Sequence, residues 1–343
     1  MKVTLKDISE NTGFSVSTIS RAIRNKGRIS DKNRKKIITS AQKLGYPLPE
    51  KRTRETESGK PNFALVTHFR TGEFYASFFV GFAEAAQKKG LRVGLFDVRP
   101  DLQEIEELFK DLKGLGYAGA VLFIPELKDF EYKEILENTS VDFPIISCSQ
   151  IDNSVLDTVT FDAYQGAVMV AKHFYEQGYR SFGIIEGPYE TPEARFRTNG
   201  FTDYLKSVPD AEKLWEFRGD YTHESGIRAF DDFIQLNKKP RAIFGANDAM
   251  VLGFIESLRK ANLQIPDDVA IAGYDNLPIC EYHYPKITSV KTDYSLLAEN
   301  TFDNLISRLG SPDKHQGIVS LVPVSLEVRD SSLHYSENKV AQS

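Results

Sequence analysis

Apolar residues follow two rhythms along this chain. In the first 45 residues they recur at helical spacing in three short stretches. Thr4 precedes LKDISEN with Asp7 three places on, an approximate capping box; Ser15 precedes VSTISRAIR; Ser30 precedes DKNRKKIITSAQKLG. Gly13 allows a tight turn between the first two. Leu5, Ile8, Ile19, Ile23, Ile37, Ile38, Ala41 and Leu44 supply the apolar faces, which leaves Val16, Ser17, Arg21 and Arg24 outside. From residue 62 continuous apolar runs alternate with amphipathic helical stretches. NFALVTHF (62–69), LRVGLFDV (91–98), AGAVLFIP (118–125) and FPIISCS (143–149) form one series. A second starts at TVTFD (158–162) and continues through SFGIIEG, RAIFGA and VAIAGY. Apolar strands separated by helices predict parallel sheets covered on both faces. Two series predict two doubly wound subdomains with a cleft at the carboxyl ends of their strands. Between head and body, YPLPEKRTRETESGKP (46–61) has three prolines and no apolar period, the mark of a linker. The predicted division is a helical domain at 1–46, a linker at 47–61, a two-lobed core at 62–335 and a tail at 336–343.

Composition agrees with this division: 41% of the 343 residues are hydrophobic and 27% charged, as in a soluble globular protein. The start, MKVTLKDISENTG, is polar rather than a secretion signal, and no apolar run reaches membrane-span length. Two cysteines, Cys148 and Cys280, are too few for a disulfide scaffold and fit a reducing, cytoplasmic setting. The net charge of −5 disfavours a nucleic-acid partner only as an average. Residues 1–60 hold fifteen Lys and Arg against six Asp and Glu, a net of +9; the remaining 28 basic and 42 acidic residues give −14. A basic head on an acidic body is expected when one end alone meets a polyanion.

The head's chemistry agrees. A helix, a glycine turn and a second helix presenting small polar groups and arginine form a helix-turn-helix pattern. Arg21 can donate two hydrogen bonds to guanine, Ser17 can meet a base edge or phosphate, and Val16 can touch a thymine methyl. Ser15, Thr18 and Ser30, with nearby helix amides, can hold phosphates. Catalytic signals are missing from the sequence: six scattered histidines give no metal spacing, and no nucleophile elbow, Walker loop or dinucleotide fingerprint follows a strand. The expectation is a protein with no enzyme activity, metal or cofactor. The last residues, DSSLHYSENKVAQS, lack leucine heptads, so no terminal tetramerising helix is expected.

The run VTLKDISENTGFSVSTISRAIRNKGRISDKNRKKIITSAQKLGY resembles the DNA-binding head of the lactose-repressor (LacI/GalR) family. The matching elements are TLKDI, the Gly turn, S-x-x-T-I-S-R, the Ser30 cap and the closing LGY. The resemblance implies base reading by Val16, Ser17 and Arg21 and phosphate contacts by Ser15, Thr18, Arg24 and Ser30; Thr4 joins the DNA-contacting set. In the linker the family places a hinge helix whose leucine wedges into the minor groove. Here that position falls at or near Glu55, which cannot wedge, although Lys51, Arg52 and Arg54 can hold phosphates.

The body resembles the family's effector-binding core, which is similar to periplasmic sugar-binding proteins. The matching runs are FDAYQGAVMVAKHFYEQGYRSFGIIEGP, RTNGFTDYL, GDYTHESG, AIFGANDAMVLGFIESLRKANLQIPDDVAIAGYDN and PKITSVKTDY. This implies an arginine fork at Arg197, a stacking aromatic at Tyr221, polar contacts at Asn247 and Asp275, and pocket positions at Phe74, Tyr75 and Phe161. Asp248 reads as an N-cap for the helix after it. Ser149 stands where the family often has an aspartate, and Phe123 where a polar contact can occur. An arginine fork, an amide, a carboxylate and aromatic faces suit a polyhydroxylated ring. A sugar or sugar derivative is therefore the expected effector, with a nucleoside or modified sugar left open. The implied whole is a homodimeric transcriptional regulator, a repressor, on a pseudo-palindromic double-stranded DNA operator, with no membrane partner. The alternative, a sugar-binding protein of a transport system, calls for a secretion signal and no basic head.

Overall fold

The computed structural model describes residues 3–23, 29–44, 46, 60–139, 142–153, 155–310 and 317–334. The chain divides into two compact units, Met1–Gly59 and Lys60–Ser343.

The first unit packs three helices, α1 (Leu5–Thr12), α2 (Val16–Ile23) and α3 (Asp31–Lys43), around Ile8, Ile19, Ala22, Ile37 and Ala41. Leu5, Phe14, Ile23, Ile29, Leu44 and Tyr46 border this core, whereas Ile38 is half-buried outside it. At the start of α1, Thr4 donates through its amide and hydroxyl to Asp7 Oδ2 at 2.7 and 2.8 Å. These hydrogen bonds hold the Asp7 carboxyl below its ordinary value. Gly13 ends α1 at φ +77°, a left-handed conformation that glycine adopts without the Cβ penalty.

The second unit holds two six-stranded sheets. The first lobe runs β1 (Asn62–Thr67), α4 (Glu73–Lys89), β2 (Arg92–Asp97), α5 (Leu102–Gly114), β3 (Gly119–Phe123), α6 (Asp129–Asn138), β4 (Ile145–Ser147) and β5 (Thr158–Phe161). The chain then crosses into α7 (Ala163–Glu176), β6 (Ser181–Glu186), α8 (Pro192–Ser207), β7 (Glu212–Arg218) and α9 (His223–Phe233). That lobe continues with β8 (Ala242–Gly245), α10 (Asp248–Lys260), β9 (Ala270–Asp275), α11 (Ile279–Tyr282) and β10 (Thr288–Lys291). It returns for α12 (Tyr294–Arg308) and β11 (Val319–Val322), then crosses again to β12 (Ser325–Glu327). The sheet orders are β11-β5-β4-β3-β1-β2 and β12-β10-β9-β8-β6-β7. All pairs are parallel except β10 with β12.

Parallel strands covered by helices must be apolar along their whole length, and the central ones are: β1, β3, β8 and β9 are buried almost throughout. The edge strands β2 and β7 are mostly exposed or half-buried. One sequence expectation is corrected here. TVTFD does not begin the second series; β5 pairs with β4 and β11 and lies in the first sheet. Crossing residues then become helix caps. Asp162 accepts from Gln165 N at 3.0 Å before α7, and Asp293 accepts from Leu296 N at 2.9 Å before α12. Strands β7, β10, β11 and β12 were not among the predicted runs; the first, EKLWEFR, is too charged to read as a buried strand.

After β12 the chain is tied to the second lobe. The Ser331 hydroxyl donates to Ile271 O at 2.7 Å, and the Ser332 hydroxyl lies 2.6 Å from Thr288 Oγ1 and 2.7 Å from His173 Nε2. No helix among the described residues is long and apolar enough to cross a membrane.

Glycine permits the closest helix contact. A Cβ on Gly253 of α10 would run into the His223 carbonyl at the start of α9, and one on Gly226 of α9 would run into the Met250 carbonyl. Gly253→Ala is expected to destabilise the core by about 1–3 kcal/mol, the usual cost of overpacking, as measured by urea denaturation.

Candidate functional site

In a doubly wound sheet the switch point lies where strand order reverses, and the loops leaving those strands diverge to form a crevice. Here the switch points fall between β1 and β3 in one lobe and between β6 and β8 in the other. The loop after β3 carries Glu126. The segment after β6 leads to Glu193 in the first turn of α8, and that after β8 carries Ala246 and Asn247. Ser149, Phe161 and Asp275 stand at or just past the ends of β4, β5 and β9.

Two groups of predicted residues come together. The first is aromatic. Phe74 and Tyr75 meet edge to face at 5.2 Å between ring centres, and Phe74 lies 5.6 Å from Phe123. Tyr294 contacts both Phe74 (5.8 Å) and Phe161 (5.7 Å), joining two predicted residues. The second group is centred on Arg197, whose side chain is 11% exposed. Its guanidinium donates to Ala246 O, lies 3.6 Å from Asp275 Oδ1 and stacks 3.8 Å above the Tyr274 ring, with Tyr221 at 5.7 Å. Tyr221 takes a positive φ of 67°. Its ring sits where a Cβ on Gly187 would be, so the glycine after β6 makes room for it.

Burial sets the electrostatics. It pushes the Asp275 carboxyl up, while the Arg197 guanidinium beside it pulls the other way. The Glu193 carboxyl is raised by burial as well, again opposed by Arg197. The hydroxyls of Tyr221, Tyr274 and Tyr294 all rise, chiefly because burial penalises a phenolate. Several buried polar atoms here have no hydrogen-bond partner among the described residues: Arg197 Nε, Glu193 Oε2, Glu126 Oε2, Ser149 Oγ, and the Tyr221, Tyr274 and Tyr294 hydroxyls. A buried polar group without a partner costs about 1–3 kcal/mol, so such a concentration calls for a partner.

The cap expected of Asp248 is supplied by its neighbour Asn247. Asn247 is the N-cap of α10: its Oδ1 accepts from Met250 N at 3.0 Å, and its Nδ2 donates to Tyr221 O at 3.0 Å. Its amide thus positions Tyr221. Asp248 is fully buried and accepts from Leu277 N (2.8 Å) and Ser289 Oγ (2.6 Å), tying α10 to the turn after β9 and to β10. Asp275 ends its strand at φ +103° and Asn276 follows at +50°, so this residue makes the turn and also faces the arginine.

Glu126, Glu193, Tyr274 and Tyr294 were missed from sequence. Glu193 reads as an acidic residue complementing a helix N-terminus, and the tyrosines read as core. Two contacts join the lobes near these groups: Arg195 Nη2 to the Asp152 carboxylate at 2.5 and 2.6 Å, and Ile279 N to Glu73 Oε2 at 3.2 Å. No group of three potential metal ligands occurs among the described residues.

In the head, Val16 (43% exposed), Ser17 and Arg21 share the solvent-facing side of α2. Arg21 Nε donates to Ser17 O at 3.3 Å, which lays the guanidinium along the helix. Ser15 Oγ accepts from Thr18 N at 3.2 Å and lies 3.0 Å from Ser17 Oγ and 2.8 Å from Thr18 Oγ1. The hydroxyls of Thr4 and Ser15 therefore serve first as caps. Thr4 and Ser30 are exposed; Arg24, Glu55 and the three linker cations lie outside the described residues.

A three-helix head with a polar α2 face, carried on one chain with a two-lobed core and its polar cleft, is the architecture of a DNA-binding regulator. Comparison with known proteins agrees. Residues 4–47 match the family model for bacterial regulatory proteins, lacI family, and residues 171–332 match that for a periplasmic binding protein-like domain. The chain is 25% identical over 331 residues to the HTH-type transcriptional repressor PurR of Photobacterium profundum, covering 96% of this chain and 98% of the relative. It is 24% identical over 333 residues to the ribose operon repressor of Escherichia coli (strain K12), covering 94% and 98%. Among solved structures, the lac repressor dimer bound to operator and the anti-inducer ONPF superposes with a TM-score of 0.72 at 23% identity, over 97% of this chain and all of that one. A complex of the transcriptional regulator CelR with cellobiose gives 0.69 at 25%, over 96% and 100%. The head thus matches the lacI family of bacterial regulatory proteins, and the chain is a DNA-binding transcriptional regulator.

The separate structural roles of Asn247 and Asp248 beside β8 can be measured. Asn247→Ala is expected to cost about 1 kcal/mol, as loss of a cap does. Asp248→Ala, which strands two buried donors, should cost about 2–4 kcal/mol by equilibrium denaturation.

Proposed function

We propose that this protein is a homodimeric repressor whose affinity for a pseudo-palindromic operator is set by a small hydroxylated ligand held between the two core lobes. The observation that carries the reading is the convergence of partnerless buried polar atoms and aromatic faces from both lobes at the carboxyl ends of their strands. Arg197 and Asp275 are the polar anchors of this site, with Tyr221, Phe74, Tyr75 and Phe161 as its flat faces and Ser149 as a hydroxyl at its floor. Asn247 acts by holding Tyr221 in place. The relatives support the reading by name: two are repressors, one a ribose operon repressor, and CelR is solved with cellobiose.

On the DNA side, Val16, Ser17 and Arg21 read bases, and Thr4, Ser15, Thr18, Arg24 and Ser30 approach phosphates, two of them after leaving their capping bonds. A single short helix makes few base contacts, so two heads on a symmetric dimer are needed to read a site. Ligand and operator affinities must be reciprocally coupled: a ligand that weakens operator binding is itself bound more weakly by the operator complex.

Operator affinity should fall steeply with salt as phosphates regain counterions. Arg21→Ala should cost about 1–3 kcal/mol on a selected operator and flatten discrimination at one base pair, read by titrating substituted duplexes. Loss of affinity without loss of discrimination would move Arg21 to the phosphate set. Arg197→Ala should leave operator binding intact and abolish both the thermal shift and the change in operator affinity across a panel of sugars and nucleosides. An unchanged response in that variant would overturn the cleft assignment.

A further inference from the structure

Two of the three base readers assigned to the head are joined to each other. Ser17 and Arg21 stand one turn apart on α2, and both are exposed. Arg21 Nε donates to the Ser17 carbonyl at 3.3 Å, and Arg21 Nη2 donates to the Ser17 hydroxyl at 3.5 Å. Both contacts fall on one edge of the guanidinium, the side formed by Nε and Nη2. An arginine can offer a base two parallel donors from that side or from its end, formed by Nη1 and Nη2. With the side turned onto its own helix, the end is the fork left for guanine O6 and N7. Among the described residues no carboxylate pairs with Arg21, and no other group bonds to its side chain.

The hydroxyls nearby agree with this orientation. A guanidinium can only donate, so Ser17 Oγ is the acceptor of the pair and must place its own proton elsewhere. The order that gives each proton one acceptor runs from Ser17 to Ser15 Oγ at 3.0 Å and from Ser15 to Thr18 Oγ1 at 2.8 Å. Ser17 then has no proton to offer an acceptor on a base. A long side chain on an exposed helix face also loses rotamer freedom on binding, and a fork held in place beforehand loses less. We infer that Ser17 is a positioning residue for Arg21: it reads the operator through the arginine, by fixing which edge of the guanidinium meets a guanine. This inference rests on the base-reading role proposed for Arg21 and gives Ser17 an indirect part in place of a base contact of its own.

The full-length protein can be titrated with an operator selected from random duplexes and with its singly substituted versions. The base pair read by Arg21 is the one at which Arg21→Ala loses discrimination. Ser17→Ala should lower discrimination at that same base pair about three- to tenfold, the worth of one hydrogen bond, and leave the salt dependence of binding unchanged. Ser17→Thr, which keeps a hydroxyl, should restore most of it. In an Arg21→Ala background, Ser17→Ala should change nothing further. Discrimination untouched by Ser17→Ala would overturn the inference. Loss at a different base pair, with effects that add in the double variant, would overturn it too and make Ser17 a base contact in its own right. A loss of affinity spread evenly over all duplexes would reduce Ser17 to a structural part of α2, again against the inference. If Arg21→Ala itself flattened no base pair, the base-reading role beneath the inference would be the one to fall.

Discussion

The Arg197 guanidinium is where the two halves of the core's logic meet. Parallel strands packed on both faces are apolar along their length, so their polar business is displaced to their ends. Arg197 reaches across the ends of β8 and β9, capping a free carbonyl at Ala246 and opposing the Asp275 carboxylate. A buried charge is costly unless it is paired and hydrogen-bonded. Asp275 supplies the opposing charge and the Tyr274 ring supplies a face. The surrounding geometry follows from keeping that cation in place: the left-handed turn at Asp275 and Asn276, the Asp248 carboxylate fastening that turn, and the Gly187 gap that admits Tyr221.

The three crossings of the chain give the cleft its composition. Because β5, α12 and β11 belong to the first lobe, Phe161 and Tyr294 stand beside Phe74, though they are far from it in sequence. Tyr294 joins the aromatic face to the charged one, since its hydroxyl lies in the field of Asp275 and Arg197. The contacts of Arg195 with Asp152 and of Ile279 with Glu73 link the lobes directly. Any ligand that changes the separation of the lobes must act against these contacts or with them, which is how occupancy of a cleft becomes a change of shape.

Charge divides the labour between the two units. The +9 falls on residues 1–60, the helical domain whose α2 face carries Arg21 together with the linker, and the −14 falls on the core. The overall −5 that disfavours a polyanion partner is the sum of two surfaces with different work to do. The acidic excess also extends to the ends of the strands, where Glu126 and Glu193 are half-buried and each keeps one covered carboxylate oxygen.

The sequence by itself determined what depends on neighbours along the chain. Helical spacing around Ile8, Ile19 and Ile37, caps at Thr4 and Ser15, and the apolar runs that became β1, β3, β8 and β9 were all legible. Arg197, Tyr221 and Asp275, expected together from short motifs that resemble known regulators, do lie beside one another in the fold. What needed distant segments was not legible. The membership of β5 depended on where the chain crosses; the edge strand EKLWEFR lacked the burial that makes strands apolar; and the choice between Asn247 and Asp248 as cap depended on Leu277 and Ser289 arriving from about thirty to forty residues away. Glu126 and Glu193 carry no local mark, because a carboxylate in a surface turn and one facing another across a cleft are written with the same letter. Their approach to one another distinguishes them, and that is a property of the folded chain.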